Sequence, residues 1–319
     1  MYKPFPIRNN CSGYNVLLEM QEAKANEIDT LVIAETIRFG RYKTSSVPQE
    51  KLLALRELCR NRFYLIDMGS DLKRKITALL DQVFPEFEIQ FDSIFCKSAV
   101  AVLKQYPTPE KLSHAQTRKL TEVLQTASNR RFGEWKARQL KELARGSFGI
   151  PDCESAYSAL LLLYLNQLQS LQDSAASLED RIGEILSQFY STLTSITGIG
   201  PVLGAVILSE IRDISCFSSA DKLAAAYAGL NPKVKQSGEK KSSAVHMSKR
   251  GSPYLRRAIW MAGAIAAQHD RMFKAYYEKK AAEGLRYMNI IGHVSKKMTA
   301  VIFAVMRDNK IYEPVLPVA

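Results

Sequence analysis

The sequence YSALLLLYLNQLQSLQDSAASLEDRIGEILSQF, from Tyr157 to Phe189, decides the fold class of this chain. Its apolar side chains recur at alternating steps of four and three residues, which is the heptad spacing of paired helices. We call these positions the heptad seam: Tyr157, Leu161, Tyr164, Leu168, Leu171, Ala175, Leu178, Ile182, Ile185 and Phe189. A seam of this length needs a partner helix. The pattern favours a coiled coil that joins two subunits, and the main alternative is an antiparallel pair with a helix at 48–83 of the same chain.

Shorter helical patterns lie on both sides of the seam. The strongest of them are at 27–40, 48–83, 113–127, 133–145 and 288–306. The chain is therefore predicted to be mainly α, with three parts: an N-terminal part at 1–46, a helical linker and coiled coil at 47–190, and a C-terminal domain at 191–319. In the first helix Asn26 is the expected N-cap, and Asp29 suits the acidic third position of a capping box.

Positive charge is concentrated in one stretch after the seam. The chain has 44 Lys and Arg against 32 Asp and Glu, a net charge of +12. The stretch from Gly229 to Trp260, which we call the basic loop, holds a single acid, Glu239, and eight basic residues: Lys233, Lys235, Lys240, Lys241, Lys249, Arg250, Arg256 and Arg257. A solubilising surface would intersperse acids, so this clustering indicates a polyanionic partner such as nucleic acid.

One serine stands in the middle of the basic loop, in Gln236-Ser237-Gly238. Turns use Ser-Gly pairs freely, so Ser237 by itself is typical of a turn residue. A basic loop that opens into a helix is also a suitable place to hold phosphate. The residues alone leave both interpretations open.

A glycine hairpin precedes the basic loop, in the run STLTSITGIGPVLGAVILSEI at 191–211. Leu193 and Ile196 come before Gly198 and Gly200, and apolar residues follow in helical register. This pattern is typical of a helix-hairpin-helix. Its glycines allow backbone N–H groups to approach a phosphate without reading the base sequence.

Composition excludes several classes of protein. No run reaches the roughly 18 apolar residues of a transmembrane helix, and the N-terminal sequence lacks the hydrophobic core of a signal peptide. The cysteines are odd in number and scattered singly, at Cys11, Cys59, Cys96, Cys153 and Cys216. They therefore predict reduced thiols in a cytoplasmic protein without a zinc site.

The motifs from the hairpin onward share their order with a known family. The runs LTSITGIGPVLGAVILSEI, FSSADKLAAAYAGLNPKVKQSG and MSKRGSPYLRRAIWMAGAIAA resemble the C-terminal domain of transposases of the insertion-sequence 110 and 1111 family. The run EIDTLVIAETIRFGRY and the arginine-rich helix after it resemble, less specifically, the end of the family's RuvC-like nuclease domain and its coiled-coil linker. The resemblance covers the chain from about Lys24.

The resemblance implies DNA transposition and recombination in a bacterium or archaeon. It implies a serine nucleophile, which falls on Ser237, and the partners it implies are element-end and target DNA, a structured guide RNA and further copies of the chain as a dimer or tetramer. The alternative function is a non-catalytic DNA- or RNA-binding coiled-coil protein.

The family's metal-binding acids are poorly matched. The last acidic motif has the pattern D-x-x-D, and here it reads Asn26-Glu27-Ile28-Asp29. Asp29 fits the final acid, Asn26 replaces the one before it, and the chain starts too late to contain the first two. Mg²⁺, which the family implies, needs several oxygen ligands. The sequence therefore predicts a truncated, impaired nuclease-like part, with Asp29 as a remnant catalytic acid and metal ligand.

Overall fold

A computed structural model describes residues 34–35, 38–39, 50–151, 155–224, 228–229, 236–237, 240–241 and 251–314, of which 236–237 and 240–241 are described as backbone. These residues belong to two compact units. The inserted unit is Asn61–Glu179, and the discontinuous unit is Met1–Arg60 together with Asp180–Ala319.

Helices make up most of both units, which confirms the mainly α prediction. In chain order the helices are α1 (Glu50–Val83), α2 (Lys97–Gln105), α3 (Pro109–Ser113), α4 (Thr117–Ala127), α5 (Glu134–Arg145), α6 (Ala156–Leu186), α7 (Pro201–Ile211), α8 (Pro253–His269), α9 (Arg271–Ala282) and α10 (Tyr287–Asp308). A single helical turn lies at Ala220–Lys222, and 3-10 turns lie at Pro85–Gln90, Leu193–Ser195 and Ile214–Cys216. The short strands β1 (Gln236–Ser237) and β2 (Lys240–Lys241) form an antiparallel pair.

The heptad seam on α6 meets α1 of the same chain. Within the inserted unit, Arg62 Nη2 lies 2.7 Å from Glu179 Oε1, and Lys75 Nζ lies 5.9 Å from the centre of the Tyr164 ring. Within the discontinuous unit, Lys51 Nζ donates to Gln188 Oε1 at 2.7 Å. Residues with higher numbers on α1 contact residues with lower numbers on α6, so the two helices run antiparallel.

This pairing changes the interpretation of the seam. Every seam residue is buried or half-buried in the single chain. The seam therefore has an intrachain partner, as in the alternative above, because α1 offers an apolar stripe of matching length. The coiled coil joining two subunits is not supported, and the dimer or tetramer stays a prediction.

The core of the inserted unit is built from α1, α6 and the four helices between them. Its largest fully buried side chains include Phe63, Phe84, Phe87, Leu103, Leu112, Leu120, Leu124 and Leu140. A tilted aromatic pair, Phe84 and Phe87, has ring centres 5.3 Å apart where α1 ends. The pair α4 and α5 is thus a packed hairpin of short helices, with its apolar face turned into this core.

The discontinuous unit is centred on α8, which packs against α7, α9 and α10. The buried face of α8 consists largely of small residues, including Ala258, Ala262, Gly263 and Ala266. Small side chains allow helix backbones to approach closely. Asp270 ends α8 and begins α9, where its carboxylate accepts hydrogen bonds from the N–H groups of Met272 and Phe273.

Little of the predicted N-terminal part is described. The Phe39 N–H donates to the Glu35 carbonyl at 2.9 Å, which is a helical bond inside the predicted helix 27–40. Asn26, Asp29 and the rest of the predicted nuclease remnant at 1–46 lie outside the described residues, so this part stays a prediction. None of the described helices is long and apolar enough to cross a membrane.

Candidate nucleic-acid interface

Gly198 is a packing residue of the glycine hairpin. Its φ of +92° lies in the region that side chains with a Cβ rarely adopt. A Cβ added there would lie 2.5 Å from the Ala262 carbonyl oxygen and 3.2 Å from the Ala266 nitrogen. The bare α-carbon therefore allows the hairpin to rest directly on the backbone of α8. The predicted contact of Gly198 with DNA stays a prediction, beside this structural role.

Gly200 differs from Gly198 in having open space around it. It is exposed, it is the N-cap of α7, and a Cβ added there would meet nothing within 4 Å. Its φ of −81° is ordinary, and no side chain caps the helix at this end. Of the two predicted glycines, Gly200 is the one that leaves room for a ligand.

The segment before the hairpin is shorter than a helix-hairpin-helix requires. It is the single 3-10 turn Leu193–Ser195. The Ser195 hydroxyl closes this turn by donating to the Thr192 carbonyl at 2.6 Å, and it accepts from the Tyr312 N–H at 2.9 Å. These bonds keep the turn tight and tie the C-terminal segment to it. The first helix of the predicted motif is thus one 3-10 turn in this structure.

In the basic loop, Ser237 belongs to a strand pair. Its register partner is Lys240, and Gln236 pairs with Lys241. Only Gly238 and Glu239 separate the two strands in the sequence. The backbone of Ser237 therefore ends the first strand of the pair, next to the two residues that connect the strands. Lys233, Lys235, Lys249 and Arg250 lie outside the described residues.

The basic loop is closed at its base by Arg256. Its Nη1 donates to the Ala228 carbonyl at 3.1 Å, which joins the first turn of α8 to the residue just before the loop. Burial lowers the pKa of the Arg256 guanidinium. Ser252 caps the same turn by accepting from the Leu255 N–H at 3.1 Å. Arg256 thus holds the two ends of the loop together, and Arg257 beside it is half-buried.

A buried carboxylate supports the start of α8. Glu210 on α7 is 1% exposed and accepts two bonds from Arg60 of α1, at 2.7 and 3.1 Å. The hydrogen bonds that Arg60 donates to Glu210 raise the pKa of the Arg60 guanidinium. The Arg60 guanidinium lies 4.8 Å from the centre of the Tyr254 ring in the first turn of α8. These three residues fix the helix that follows the basic loop.

Sequence reasoning did not single out this cluster. The sequence feature that indicates it is Glu210, the one acid in the apolar run AVILSEI, because a buried carboxylate requires a partner. The partner lies 150 residues earlier in the chain. The predicted metal ligand Asp29 is outside the described residues. Within the part of the chain that the structure describes, no group of three or more His, Cys, Asp or Glu side chains is placed to hold a metal ion.

Comparison with known proteins matches two segments of the chain. Residues 190–278 match the family described as Transposase IS116/IS110/IS902, and residues 14–85 match a transposase family of the DEDD type of IS110. A DEDD-type match suggests a divalent metal ion.

Insertion-element proteins are among the relatives. The chain is 28% identical over 303 residues to an uncharacterized 44.8 kDa protein of insertion element IS116 from Streptomyces clavuligerus, covering 93% of this chain and 74% of that protein. It is 25% identical over 306 residues to the uncharacterized 43.6 kDa protein of IS110 from Streptomyces coelicolor, with the same two shares. It is 25% identical over 274 residues to a mini-circle putative transposase for IS117 from that organism, covering 82% of this chain and 65% of that protein.

Proposed function

We propose that this chain is a DNA recombinase of the IS116/IS110/IS902 transposases and that it attacks phosphodiesters through Ser237. Its two family matches and its relatives support the membership of this family. The observation that carries the proposal is the strand register. It pairs Ser237 with Lys240 at the point where the basic loop turns. The whole loop lies inside the segment that matches the family, 190–278.

The chemistry conserves the energy of the cleaved bond. The Ser237 oxygen forms a bond to phosphorus, and the bond from phosphorus to one deoxyribose oxygen breaks. The serine proton passes to solvent, and the released hydroxyl group gains one. Because a phosphodiester replaces a phosphodiester, the reverse attack by another hydroxyl group rejoins DNA without ATP. Nearby positive charge stabilises the phosphorane and favours loss of the serine proton.

The basic residues divide into two roles in this proposal. Arg256 is a positioning residue, because its guanidinium already bonds to the Ala228 carbonyl at the base of the loop. The lysines of the loop, including Lys240 and Lys241, are the proposed phosphate ligands. Gly200 at the N-terminus of α7 is the proposed backbone contact to DNA. A structured RNA encoded by the element is the proposed guide.

A covalent-trapping experiment tests the serine. Purified protein, with the RNA transcribed from the element, is incubated with element-end DNA that carries a nick beside the expected cleavage site. Loss of the short fragment then prevents rejoining. We expect a denaturant-resistant protein–DNA adduct that Ser237→Ala abolishes and Ser242→Ala, a change of another serine in the same loop, leaves intact.

Binding separates this proposal from the alternative. The logarithm of the affinity should fall steeply with the logarithm of the salt concentration, because each phosphate contact releases a counterion. Strong, salt-dependent binding without an adduct in the wild type would favour the non-catalytic DNA- or RNA-binding protein. An adduct that survives Ser237→Ala would exclude Ser237 as the nucleophile.

A further inference from the structure

A second basic surface lies in the inserted unit, at the turn between α4 and α5. We call it the Trp135 corner, and it comprises Arg130, Arg131, Phe132, Trp135 and Lys136. It lies outside both segments that match the transposase family, 14–85 and 190–278. It therefore goes beyond the function proposed above.

The backbone of this corner is held in an unusual conformation. Asn129 and Arg130 have φ values of +51° and +64°, in the left-handed region that few non-glycine residues adopt. The Arg130 N–H donates to the Gln125 carbonyl at 2.8 Å, and the Phe132 N–H donates to the Ser128 hydroxyl at 2.9 Å. These bonds fix the turn, which presents two adjacent exposed arginines.

The arginines of the corner differ from the others in the inserted unit. The unit has seven arginines, and five of them form ion pairs within it: Arg62 with Glu179, Arg74 with Asp71, Arg118 with Glu122, Arg138 with Glu134, and Arg145 with Glu142. Among the described residues, no carboxylate pairs with Arg130 or Arg131. In the described part of the chain, the Arg131 guanidinium makes a cation–π contact with the Phe132 ring, whose centre is 5.6 Å away. The other five arginines of the inserted unit are therefore paired with carboxylates, whereas Arg130 and Arg131 are available to bind an external anion.

An exposed indole stands next to these charges. Trp135 is 60% exposed, and its ring meets Phe132 edge to face at 6.1 Å. Phe132 in turn meets Phe91 at 5.9 Å. A tryptophan usually buries most of its surface, so one that packs on Phe132 and still has more than half of its surface in solvent suits stacking with a ligand.

A buried lysine stiffens the base of this corner. Lys136 Nζ lies 5.2 Å from the Phe91 ring centre, 5.8 Å from that of Phe132 and 5.7 Å from that of Trp135. It donates to the amide oxygens of Gln90 and Gln139 at 3.3 and 3.1 Å. One cation thus holds all three rings together, which leaves Trp135 little freedom to fold away from solvent.

We propose that the Trp135 corner binds single-stranded nucleic acid, with a base stacked on the Trp135 indole and phosphates bound by Arg130 and Arg131. Aromatic rings beside unpaired cations are how proteins hold unpaired strands without reading sequence. A duplex satisfies the phosphate contacts and offers no free base face. An acidic peptide satisfies the charges and offers no aromatic base. Both RNA and DNA strands have the required chemistry.

The intrinsic fluorescence of the full chain tests this directly. The chain has two tryptophans, Trp135 and Trp260, so a Trp260→Phe background leaves Trp135 as the reporter. The titrants are a 12-nucleotide RNA, the DNA strand of the same sequence, its duplex, and polyglutamate. We expect saturable quenching by unpaired RNA or DNA or both, and the strand that binds tighter identifies the source. Quenching by polyglutamate or by the duplex at equal strength would overturn base stacking.

Two pairs of arginine substitutions make a matched control. In that background, Arg130→Gln with Arg131→Gln should raise the dissociation constant measured by quenching about tenfold or more. Arg138→Gln with Arg145→Gln removes the same charge from paired residues of the same unit and should change it less than twofold. Equal effects of the two pairs would refute the proposal.

A further pair of variants separates this surface from the basic loop. Binding of a labelled strand is measured by fluorescence anisotropy in a Lys240→Gln, Lys241→Gln background. In this background Trp135→Ala should weaken binding roughly 5- to 150-fold, which is the range for loss of one stacked base. Ser237→Ala should leave Trp135 quenching unchanged. Failure of the serine chemistry and failure of this proposal therefore give different results. Unaltered affinity of the Trp135→Ala chain would also refute the corner as a binding surface.

Discussion

Substituting the two hairpin glycines in the same way should have very different effects on stability. Gly198→Ser places a Cβ at a φ of +92°, which costs about 1–2 kcal/mol. The same Cβ would lie 2.5 Å from the Ala262 carbonyl oxygen, so the hairpin and the α8 backbone must separate by several tenths of an ångström or more. Overpacking of that kind costs about 1–3 kcal/mol. The discontinuous unit should therefore lose about 2–5 kcal/mol of unfolding free energy.

Gly200→Ser is the matched control. Its added Cβ meets nothing within 4 Å, and its φ is ordinary. Serine caps helices slightly better than glycine, so this variant should be as stable as the wild type or gain a few tenths of a kcal/mol. The two positions are two residues apart and receive the same side chain, so the difference between them measures packing against α8.

Urea unfolding followed by tryptophan fluorescence gives the measurement. In a Trp135→Phe background the signal comes from Trp260, which lies on α8 two residues from Ala262. It therefore reports on the unit in which the hairpin packs. If both serine variants unfold at the same urea concentration as their parent, the packing role of Gly198 is wrong.

Three further predictions concern single side chains. Glu210→Ala should destabilise the discontinuous unit by about 2–3 kcal/mol in the same assay, less than for a fully buried pair because its arginine partner is partly hydrated. Glu184→Ala, which removes an exposed ion pair, should cost under about 0.5 kcal/mol, and equal losses would contradict the role given to burial. Burial lowers the pKa of Lys136 below 10.5, so the unfolded state binds more protons between the lowered pKa and 10.5. The unfolding free energy of the inserted unit should therefore rise with pH in that window, and this rise should be absent from the Lys136→Met variant. A variant with the same pH profile as the wild type would contradict the lowered pKa of Lys136. Gly69→Ala, in the interior of α1 with its Cβ 3.6 Å from a leucine methyl group, should stabilise the inserted unit by about 0.5–1 kcal/mol, whereas Gly149→Ala would collide with backbone and destabilise it. Thermal unfolding of the paired variants decides this, and a stabilised Gly149→Ala would refute the contact.

The spacing of apolar residues was enough to predict the long helices. The seam on α6 is legible because burial on one side of a helix repeats at heptad intervals. The seam's partner was not legible, because an apolar stripe needs to be covered and does not specify whether the covering helix is in the same chain. The structure supplies that answer through pairs such as Arg62 with Glu179, which are 117 residues apart in the sequence.

Only part of the candidate interface was predicted, because sequence patterns show local features and do not show contacts between distant segments. The glycines and the charge of the basic loop are local features, and sequence reasoning found them. What each glycine faces depends on α8, which comes more than 50 residues later, so Gly198 and Gly200 looked alike. The partner of Glu210, Arg60, is farther still, at 150 residues in the sequence. The strand pair at Ser237 was missed because a ladder of two polar residues on each side has no apolar alternation to reveal it.

The antiparallel pairing of α1 and α6 also determines when this chain is able to fold. During synthesis α1 emerges first, and its partner α6 begins more than 70 residues after α1 ends. The helices between them make mostly local contacts, which form quickly, whereas closure of α1 on α6 requires a long loop to be ordered first. The part of the α1 stripe that packs on α6 therefore stays uncovered until α6 has left the ribosome. Because α6 ends at Leu186, before the first hairpin glycine, the inserted unit has all its residues before the basic loop is made. Synthesis thus completes the scaffold before the segment that carries Ser237.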